Sequence, residues 1–281
     1  MTDIVENKKG YYFDGADGEI VNLSTIDLPK KKPLNVNLTN TSDEGKTFTS
    51  SSHYSEIISV LGGKYNMQLN GINSNKTVKL GDSSGNIVNI ANSGKNTVTA
   101  GDGGNKFYTN HIYSNNTITS GKGKDSYYLY NGTTKITDKG ISDCEKDWYY
   151  IYGGKNTVVD KGGENNFDFR PQGIYSDKYI TGSGIDTFLV NITGSEGEIN
   201  INSGDGIDTL KIYNDTAGTN NVLVNADLGK GNDIVLVNYK TGSIAKNDSS
   251  ILNVKTGNGK DTVDIKAGKK NDINTGDGVI P

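Results

Sequence analysis

The sequence predicts an all-β protein that folds as a right-handed parallel β-solenoid with coils of about twenty residues. Three observations lead to this fold class. Similar segments recur twenty residues apart, a glycine-rich turn follows each of them, and apolar and polar residues alternate after each turn. A repeat this short can bury its apolar face only against its neighbours, so the repeats are expected to stack.

The repeated strand is clearest in the first half of the chain. Thr77, Thr97 and Thr117 occupy the same place in three successive segments, and a glycine follows each threonine after four residues. Threonine flanked by valine or isoleucine favours a strand. The constant spacing therefore predicts strands that lie over one another in register.

A turn of the form Gly-x-Gly-x-Asp follows the repeated strand, and glycine in it permits positive φ angles without steric cost. Side chains become apolar at the second and fourth positions after the turn acid, as in Val235 and Val237. This period of two predicts a second short strand with one buried face. The turns in question contain Gly182, Gly184 and Asp186; Gly204, Gly206 and Asp208; Gly229, Gly231 and Asp233; and Gly257, Gly259 and Asp261.

Two regions of different regularity divide the chain. Residues 1–55 break the twenty-residue spacing, and we expect them to form an N-terminal cap; the alternative is a leader without a structural role. Residues 56–281 are expected to form the solenoid, which ends in what resembles a repeat stopped midway, as in a piece cut from a longer chain.

The glycine turns resemble the nonapeptide G-G-x-G-x-D-x-U-x of the repeats-in-toxin (RTX) family, over about residues 60–281. The resemblance implies a bacterial protein that is exported by a type I route without a cleaved signal and folds outside the cell on a calcium-binding β-roll. One departure is that only one side of each coil carries the Gly-x-Gly-x-Asp turn, whereas the family has it on both sides.

The resemblance also implies that Ca²⁺ lies between neighbouring turns, bound by carboxylates and by the carbonyls of the turn glycines named above. Calcium takes six to eight oxygen ligands. The alternative is that each acid only caps its own turn through backbone amides. Asn105, Asp147 and Asn165 are expected to be structural, since stacked amides need no ion. The expected carboxylate ligands are Asp125, Asp186, Asp208, Asp233 and Asp261.

Composition argues against several other functions. The formal net charge of -4 offers no basic surface for nucleic acid. One cysteine and two histidines exclude a transition-metal cluster, and no apolar stretch approaches the roughly 20 residues of a membrane span. Arg170 is the only arginine and no nucleophile–base motif is present, so we expect a protein that is not an enzyme.

Aromatic residues at outward positions predict a surface that binds a glycan or another protein. The alternative is an edge that the 131–147 loop or a neighbouring chain covers. The predicted aromatic surface consists of Tyr108, Tyr128, Tyr130, Trp148, Tyr150 and Tyr152.

These observations favour an extracellular, RTX-like, calcium-binding structural or adhesive module. The main alternative is a calcium-independent solenoid of a fibre, or a filament or S-layer-like protein that assembles with itself. A polysaccharide-active β-helix is less favoured, and so is an ice-binding protein with a threonine face. That face would consist of Thr77, Thr97, Thr99, Thr117 and Thr119.

Overall fold

A computed structural model describes residues 4–7, 11–23, 28, 32–42, 44–50, 54–140, 146–170, 173–214, 221–239, 249–266 and 270–276. All regular structure in these residues is β-strand. The strands stack as a parallel β-solenoid, which confirms the predicted fold class. No helix in this part of the chain is long and apolar enough to cross a bilayer.

The described residues contain 26 strands. Their bounds are β1 Val5–Glu6, β2 Tyr11–Asp14, β3 Val21–Asn22, β4 Leu34–Thr39, β5 Lys46–Ser50, β6 Glu56–Gly62, β7 Tyr65–Leu69, β8 Lys76–Leu80, β9 Ile87–Ile90, β10 Lys95–Thr99, β11 Lys106–Thr109, β12 Asn115–Ser120, β13 Ser126–Leu129, β14 Thr133–Asp138, β15 Trp148–Ile151, β16 Lys155–Asp160, β17 Asn166–Phe169, β18 Gly173–Ile180, β19 Thr187–Asn191, β20 Ser195–Asn202, β21 Thr209–Asn214, β22 Asn221–Asp227, β23 Ile234–Tyr239, β24 Ile251–Lys255, β25 Thr262–Ile265 and β26 Lys270–Asn274.

The chain forms two compact units, Met1–Ile136 and Thr137–Pro281, and their boundary falls within β14. In the first unit, β2, β4, β6, β8, β10 and β12 pair in that order as one parallel sheet. Strands β3, β5, β7, β9, β11 and β13 form the other parallel sheet. Strand β1 pairs antiparallel with β2.

The second unit repeats the same alternation of strands. Strands β16, β18, β20, β22, β24 and β26 form one parallel sheet. Strands β15, β17, β19, β21, β23 and β25 form the other. Each turn of the coil therefore gives one strand to each sheet.

Equivalent residues of neighbouring turns lie directly over one another. Thr97 pairs with Thr77 on one side and with Thr117 on the other, as the twenty-residue spacing predicts. This register places apolar side chains of successive turns in continuous inner columns. In the second unit the rings of Tyr149 and Phe167 stack at 4.5 Å, and the rings of Phe167 and Phe188 stack at 4.7 Å.

The N-terminal region contains strands of the same parallel type. Strands β2 and β4, which lie within residues 1–55, already belong to the parallel sheet of the first unit. The antiparallel pair of β1 and β2 is the departure from this pattern. The function of residues 1–55 as an N-terminal cap stays a prediction.

The turn glycines also stack, and the spacing between turns leaves no room for a side chain. A Cβ atom added to Gly229 would lie 1.7 Å from the carbonyl oxygen of Gly204 in the preceding turn. Gly229 also has a φ of +82°, a backbone conformation that is strained for any residue other than glycine. Glycine is therefore required here by both the neighbouring turn and the backbone conformation.

We predict that Gly229→Ala lowers the free energy of unfolding by about 1–3 kcal/mol, because overpacking forces neighbouring turns apart. Gly62→Ala is the matched control, since a Cβ there meets nothing within 4 Å and Gly62 has no positive φ. Urea denaturation followed by circular dichroism measures both variants. Equal denaturation midpoints would contradict the stacking of the turns.

Candidate metal centre

Four turn acids lie in one buried column of the second unit. The carboxylate column consists of Asp186, Asp208, Asp233 and Asp261, whose relative exposure is at most 1%. Each acid immediately precedes a strand, and its backbone continues the parallel ladder: the amide of Thr209, for example, donates to the carbonyl oxygen of Asp186 at 2.8 Å. The ladder therefore fixes the spacing of the carboxylates.

One oxygen of each carboxylate has a regular partner. Oδ1 of Asp208 accepts a hydrogen bond from the backbone amide of Asp186 at 2.9 Å, and Oδ1 of Asp233 accepts one from Asp208 at 2.9 Å. Oδ1 of Asp261 likewise accepts one from Asp233 at 3.0 Å. Each acid thus caps the preceding turn. The alternative considered from the sequence was that each acid caps its own turn.

The second oxygen of three of these carboxylates has no hydrogen-bond partner. The three atoms are Oδ2 of Asp186, Asp208 and Asp233. The hydroxyls of Thr181 and Ser203 lie close enough to lower the pKa of Asp186 and Asp208, but they donate to main-chain carbonyls at 3.0 and 3.1 Å. A buried carboxylate oxygen without a donor is costly, so these oxygens need a proton or a cation.

Asp261, the last acid of the column, differs from the others. The hydroxyl of Thr256 donates to its Oδ2 at 2.6 Å. Both carboxylate oxygens of Asp261 are therefore satisfied within the protein. Within the carboxylate column, the oxygens without a partner belong to the three preceding acids, Asp186, Asp208 and Asp233.

Burial raises the pKa of all three unsatisfied acids. The pKa of Asp186 rises to about 6, and the pKa values of Asp208 and Asp233 rise to about 7. Neighbouring carboxylates add to this: Asp186 raises the pKa of Asp208, while Asp208 and Asp261 raise that of Asp233. No lysine or arginine is buried beside them among the described residues of the second unit.

The first unit handles its buried charge differently. Glu56 and Lys76 form an ion pair at 3.0 Å, and both side chains are completely buried. Ser50 donates to the same glutamate at 2.7 Å, and Lys76 also donates to the carbonyl of Tyr54 at 3.2 Å. This acid has a basic partner in the next turn, which the carboxylate column lacks.

The donor set of the carboxylate column fits a hard cation such as Ca²⁺. Its free atoms are carboxylate oxygens, one in each of three successive turns. The turn carbonyls of Gly182, Gly204 and Gly229 accept amide hydrogen bonds from the next turn at 3.0–3.2 Å, which occupies one lone pair of each. The carboxylates are therefore the main ligands available. Gly257 stacks on Gly229 and so continues this row of glycines, whereas the remaining predicted glycines, Gly184, Gly206, Gly231 and Gly259, stack as a second row of turn residues.

Asp125, the predicted ligand in the first unit, is held by the protein itself. Its Oδ1 accepts the backbone amide of Asn105 at 2.6 Å, and the hydroxyl of Tyr127 donates to its Oδ2 at 3.5 Å. Asn105 in turn accepts a hydrogen bond from the amide group of Asn86 at 3.0 Å. The bond between Asn86 and Asn105 is an amide contact of the kind expected for Asn105, while the roles expected for Asp125, Asp147 and Asn165 stay predictions.

A second group of acids was missed by the sequence analysis. Asp138, Asp147 and Asp160 are buried, and one oxygen from each lies within 4.8 Å of the others. We call these residues the carboxylate cluster. Asp147 was interpreted as structural, and the other two were not considered. The available signal was the tripeptide Asp-Lys-Gly, which occurs at both 138–140 and 160–162.

The first unit carries three of the six predicted aromatic residues on its outer surface. The rings of Tyr108 and Tyr128 stack in parallel at 4.5 Å, because β11 and β13 pair in register. Tyr130 lies beyond the end of β13 and is 36% exposed. Together these residues form the first aromatic patch.

The second unit carries the other three predicted aromatic residues. Trp148 is 39% exposed, its ring stacks against that of Tyr150 at 5.9 Å, and Tyr152 is half-buried. The ammonium of Lys146 lies 5.8 Å from the centre of the Trp148 ring. These residues form the second aromatic patch, which adds a cation to the aromatic surface.

The predicted threonine face lies on the outside of the first unit, where Thr77, Thr97 and Thr117 are half-buried in adjacent strands. In the second unit the equivalent column begins with Thr157 and Lys178 and continues with asparagines. Asn253 donates to Asn225 at 2.8 Å, and Asn225 donates to Asn200 at 3.0 Å. The threonine row is therefore not continued there.

The structure places this chain in the class of the β-solenoids. The chain matches no protein-family model, no curated protein and no solved structure. Its function must therefore be argued from its own residues.

We predict that, without calcium, the free energy of unfolding falls as the pH rises from about 4 to about 7. The native acids bind protons up to a pKa of about 6 for Asp186 and about 7 for Asp208, whereas unfolded carboxyls release theirs near 4. Stability from the protonated acids is thus complete below pH 4 and is lost as the pH passes their native pKa values.

Urea denaturation between pH 4 and pH 8 in chelator measures this dependence. Asp208→Asn keeps the Oδ1 acceptor but cannot titrate, so its stability should fall less steeply with pH. Asp264→Asn is the control, because Asp264 is exposed and paired with Lys266 at 2.8 Å. Identical pH profiles for the wild type and Asp208→Asn would contradict the prediction.

Proposed function

We propose that this chain is a calcium-responsive structural or adhesive module of a secreted or surface protein, and that it acts by binding rather than by catalysis. The observation that carries the proposal is the carboxylate column. Three stacked, buried carboxylates each have an oxygen without a donor, and no basic side chain among the described residues of that unit is buried with them.

The spacing of a parallel sheet suits a cation in this position. Equivalent atoms of neighbouring strands are about 4.8 Å apart, and calcium binds oxygen at about 2.3–2.6 Å. One ion between two turns can therefore reach a carboxylate oxygen of each. Such an ion would replace the protons that the raised pKa values retain, and it would hold neighbouring turns together.

The size of the effect follows from mass action. A ligand that binds only the native state at 100 times its dissociation constant adds about 2.7 kcal/mol to the free energy of unfolding. Extracellular calcium modules bind with dissociation constants of about 10⁻⁴–10⁻³ M, so calcium would act chiefly outside the cell. The RTX-like turns and their implied export without a cleaved signal support the same location.

The aromatic patches support the adhesive part of the proposal. Stacked rings such as Tyr108 and Tyr128 present a flat apolar surface with polar hydroxyl edges. A sugar ring or a protein side chain can pack on such a surface and donate to the hydroxyls. We propose a glycan or a protein as the ligand.

We predict that calcium raises the melting temperature of the wild-type chain. Asp208→Asn with Asp233→Asn should substantially reduce this rise in melting temperature. Each substitution replaces a charged carboxylate ligand by a neutral amide. Thermal melts followed by far-UV circular dichroism, in chelator and in millimolar calcium, measure the difference.

Asp264→Asn serves as the charge-matched control and should respond to calcium as the wild type does. A wild-type melting temperature that is the same in chelator and in excess calcium would refute the calcium proposal. A magnesium titration at the same concentration separates a specific ion from general screening of charge.

We also predict that Tyr128→Ala with Tyr150→Ala weakens glycan binding by at least about tenfold, because each substitution removes the ring that its neighbour stacks on. A glycan array followed by titration of any bound glycan measures the change. Tyr12→Ala is the control, since Tyr12 lies on β2 outside both patches. Undiminished binding by the double variant would count against the aromatic patches.

The second candidate is a calcium-independent solenoid that assembles into fibres or filaments. The backbone ladder of the glycine turns favours it, because Gly206 donates to Lys230 at 2.7 Å and Gly231 donates to Asn258 at 2.9 Å without any ion. Light scattering distinguishes the two candidates: growth that depends on protein concentration in chelator favours assembly.

A further inference from the structure

A groove of about 430 Å³ lies on the outer face of one sheet of the second unit. Its lining residues belong to β18, β20, β22, β24 and β26, which are neighbours in that order. Ligand sites commonly have volumes of about 300–1,000 Å³. Five strands at a spacing of about 4.8 Å span about 19 Å. The groove therefore runs along the axis of the coil, across the strands.

Amide side chains stand in register along one row of the groove. Asn200 pairs with Asn225 in the next strand, and Asn225 pairs with Asn253. Nδ2 of Asn253 donates to Asn225 at 2.8 Å, and Nδ2 of Asn225 donates to Asn200 at 3.0 Å. Each amide is thus oriented by its neighbour, and the row is an ordered ladder.

The ladder does not use all of its hydrogen-bonding groups. An amide side chain has two donor hydrogens and two acceptor lone pairs. Asn253 uses one of its hydrogens within the ladder, and none of the described residues donates to its Oδ1. Oδ1 of Asn225 accepts one bond, from Asn253, and keeps its second lone pair. Asn253 can therefore both donate to and accept from a ligand, and Asn225 can accept.

A second polar row lies two residues further along the same strands. Its members pair in register and are exposed; they are Asn202, Asp227, Lys255 and Asn274. The groove also contains Lys178 and Asp272 at the two ends of the amide row. Two lysines and two aspartates line the groove, so their formal charges cancel.

Apolar side chains flank the amide row on its other side. Leu223 lies two residues before Asn225 on β22, and Ile251 lies two residues before Asn253 on β24. The two apolar residues pair in register, and Ile251 is 37% exposed. A second recess of about 320 Å³ lies against them. This outer face therefore combines an apolar strip with two polar rows, as ligand sites do.

These features fit an uncharged polysaccharide. Sugar hydroxyls both donate and accept hydrogen bonds, as amides do, and the apolar C–H faces of a sugar ring can pack on Leu223 and Ile251. A charged polymer finds no excess of opposite charge in the groove. A repeating ligand meets an equivalent strand at every step of about 4.8 Å, which is close to the length of one sugar in an extended β-linked chain.

We propose that this groove binds an uncharged, extended, β-linked polysaccharide, which lies across β18 to β26 with its hydroxyls bonded to Asn225 and Asn253. The groove is distinct from the second aromatic patch, which lies at β15 in the other sheet of the same unit. It contains none of the acids of the carboxylate column, so this inference does not rest on the proposed function.

Isothermal titration calorimetry with the full chain tests the groove. The probes are the β-1,4-linked hexamers of glucose, of mannose and of N-acetylglucosamine. At least one hexamer should bind, and its trimer should bind at least about tenfold more weakly, because a trimer reaches only about half of the strands. The β-1,4-linked hexamer of mannuronate should also bind at least about tenfold more weakly, since its carboxylates would lose water without gaining a partner.

Substitutions in the amide row then locate the site. Asn225→Leu with Asn253→Leu nearly keeps the side-chain shape but removes the hydrogen bonds, so the hexamer should bind at least about tenfold more weakly. Asn35→Leu with Asn37→Leu is the matched control, because both asparagines are half-buried on β4 of the first unit. The control should bind the hexamer as the wild type does. Binding of none of the hexamers, or equal affinities for the wild type and the groove variant, would overturn the proposal.

Asn202→Val covers the case in which the groove variant does not fold. Asn202 is exposed, and its side chain makes no hydrogen bond with the described residues. Valine also favours a strand, so the fold should be kept while the affinity for the hexamer falls at least about threefold. An unchanged affinity of this variant would count against the groove.

Two further outcomes separate the groove from other uses of the surface. Tyr128→Ala with Tyr150→Ala should leave the affinity for the hexamer unchanged. Loss of hexamer binding in this aromatic variant alone would support the aromatic patches and reject the groove. Analytical ultracentrifugation tests for a second copy of this chain on the same face. A wild-type dimer that Asn225→Leu with Asn253→Leu dissociates, without any hexamer binding, would assign the face to that copy and overturn the proposal.

Discussion

The stacking of each residue on its equivalent in the next turn is the constraint on which this structure depends. Parallel pairing in register, shown by Thr77, Thr97 and Thr117, satisfies the backbone of every turn only through its neighbours. The same constraint sorts side chains into columns of like residues. An apolar column packs well, and a glycine column permits close approach, as at Gly229 over Gly204.

Polar residues inside the coil respond differently to the same stacking. Asparagines can both donate to and accept from one another, as Asn86 and Asn105 do, so an amide column needs no added charge. Carboxylates only accept hydrogen bonds when ionised, so a column of them accumulates charge with every turn. Asp208 and Asp233 illustrate this, because each has one oxygen that caps a backbone amide and one that has no partner.

The protein uses three ways to hold buried charge. Glu56 has Lys76 in the following turn, and Asp261 receives a hydroxyl from Thr256. In the carboxylate cluster Asp160 receives a hydroxyl from Tyr149, whereas Oδ2 of Asp186, Asp208 and Asp233 has no such donor. These last three acids must carry protons or an added cation, and this choice links the stability of the second unit to pH and to calcium.

The sequence by itself determined the fold class, since a fixed period with alternating apolar residues leaves few ways to bury them. It also located the turn acids, because Gly-x-Gly-x-Asp is a local pattern. Only the tertiary structure brought Asp138 and Asp160 together with Asp147, and only it showed which oxygens lack partners. Those residues belong to different strands and corners, so their proximity depends on how the coil closes rather than on any local spacing. The carboxylate that caps a neighbouring turn has the same origin, because its partner lies a full turn away in sequence.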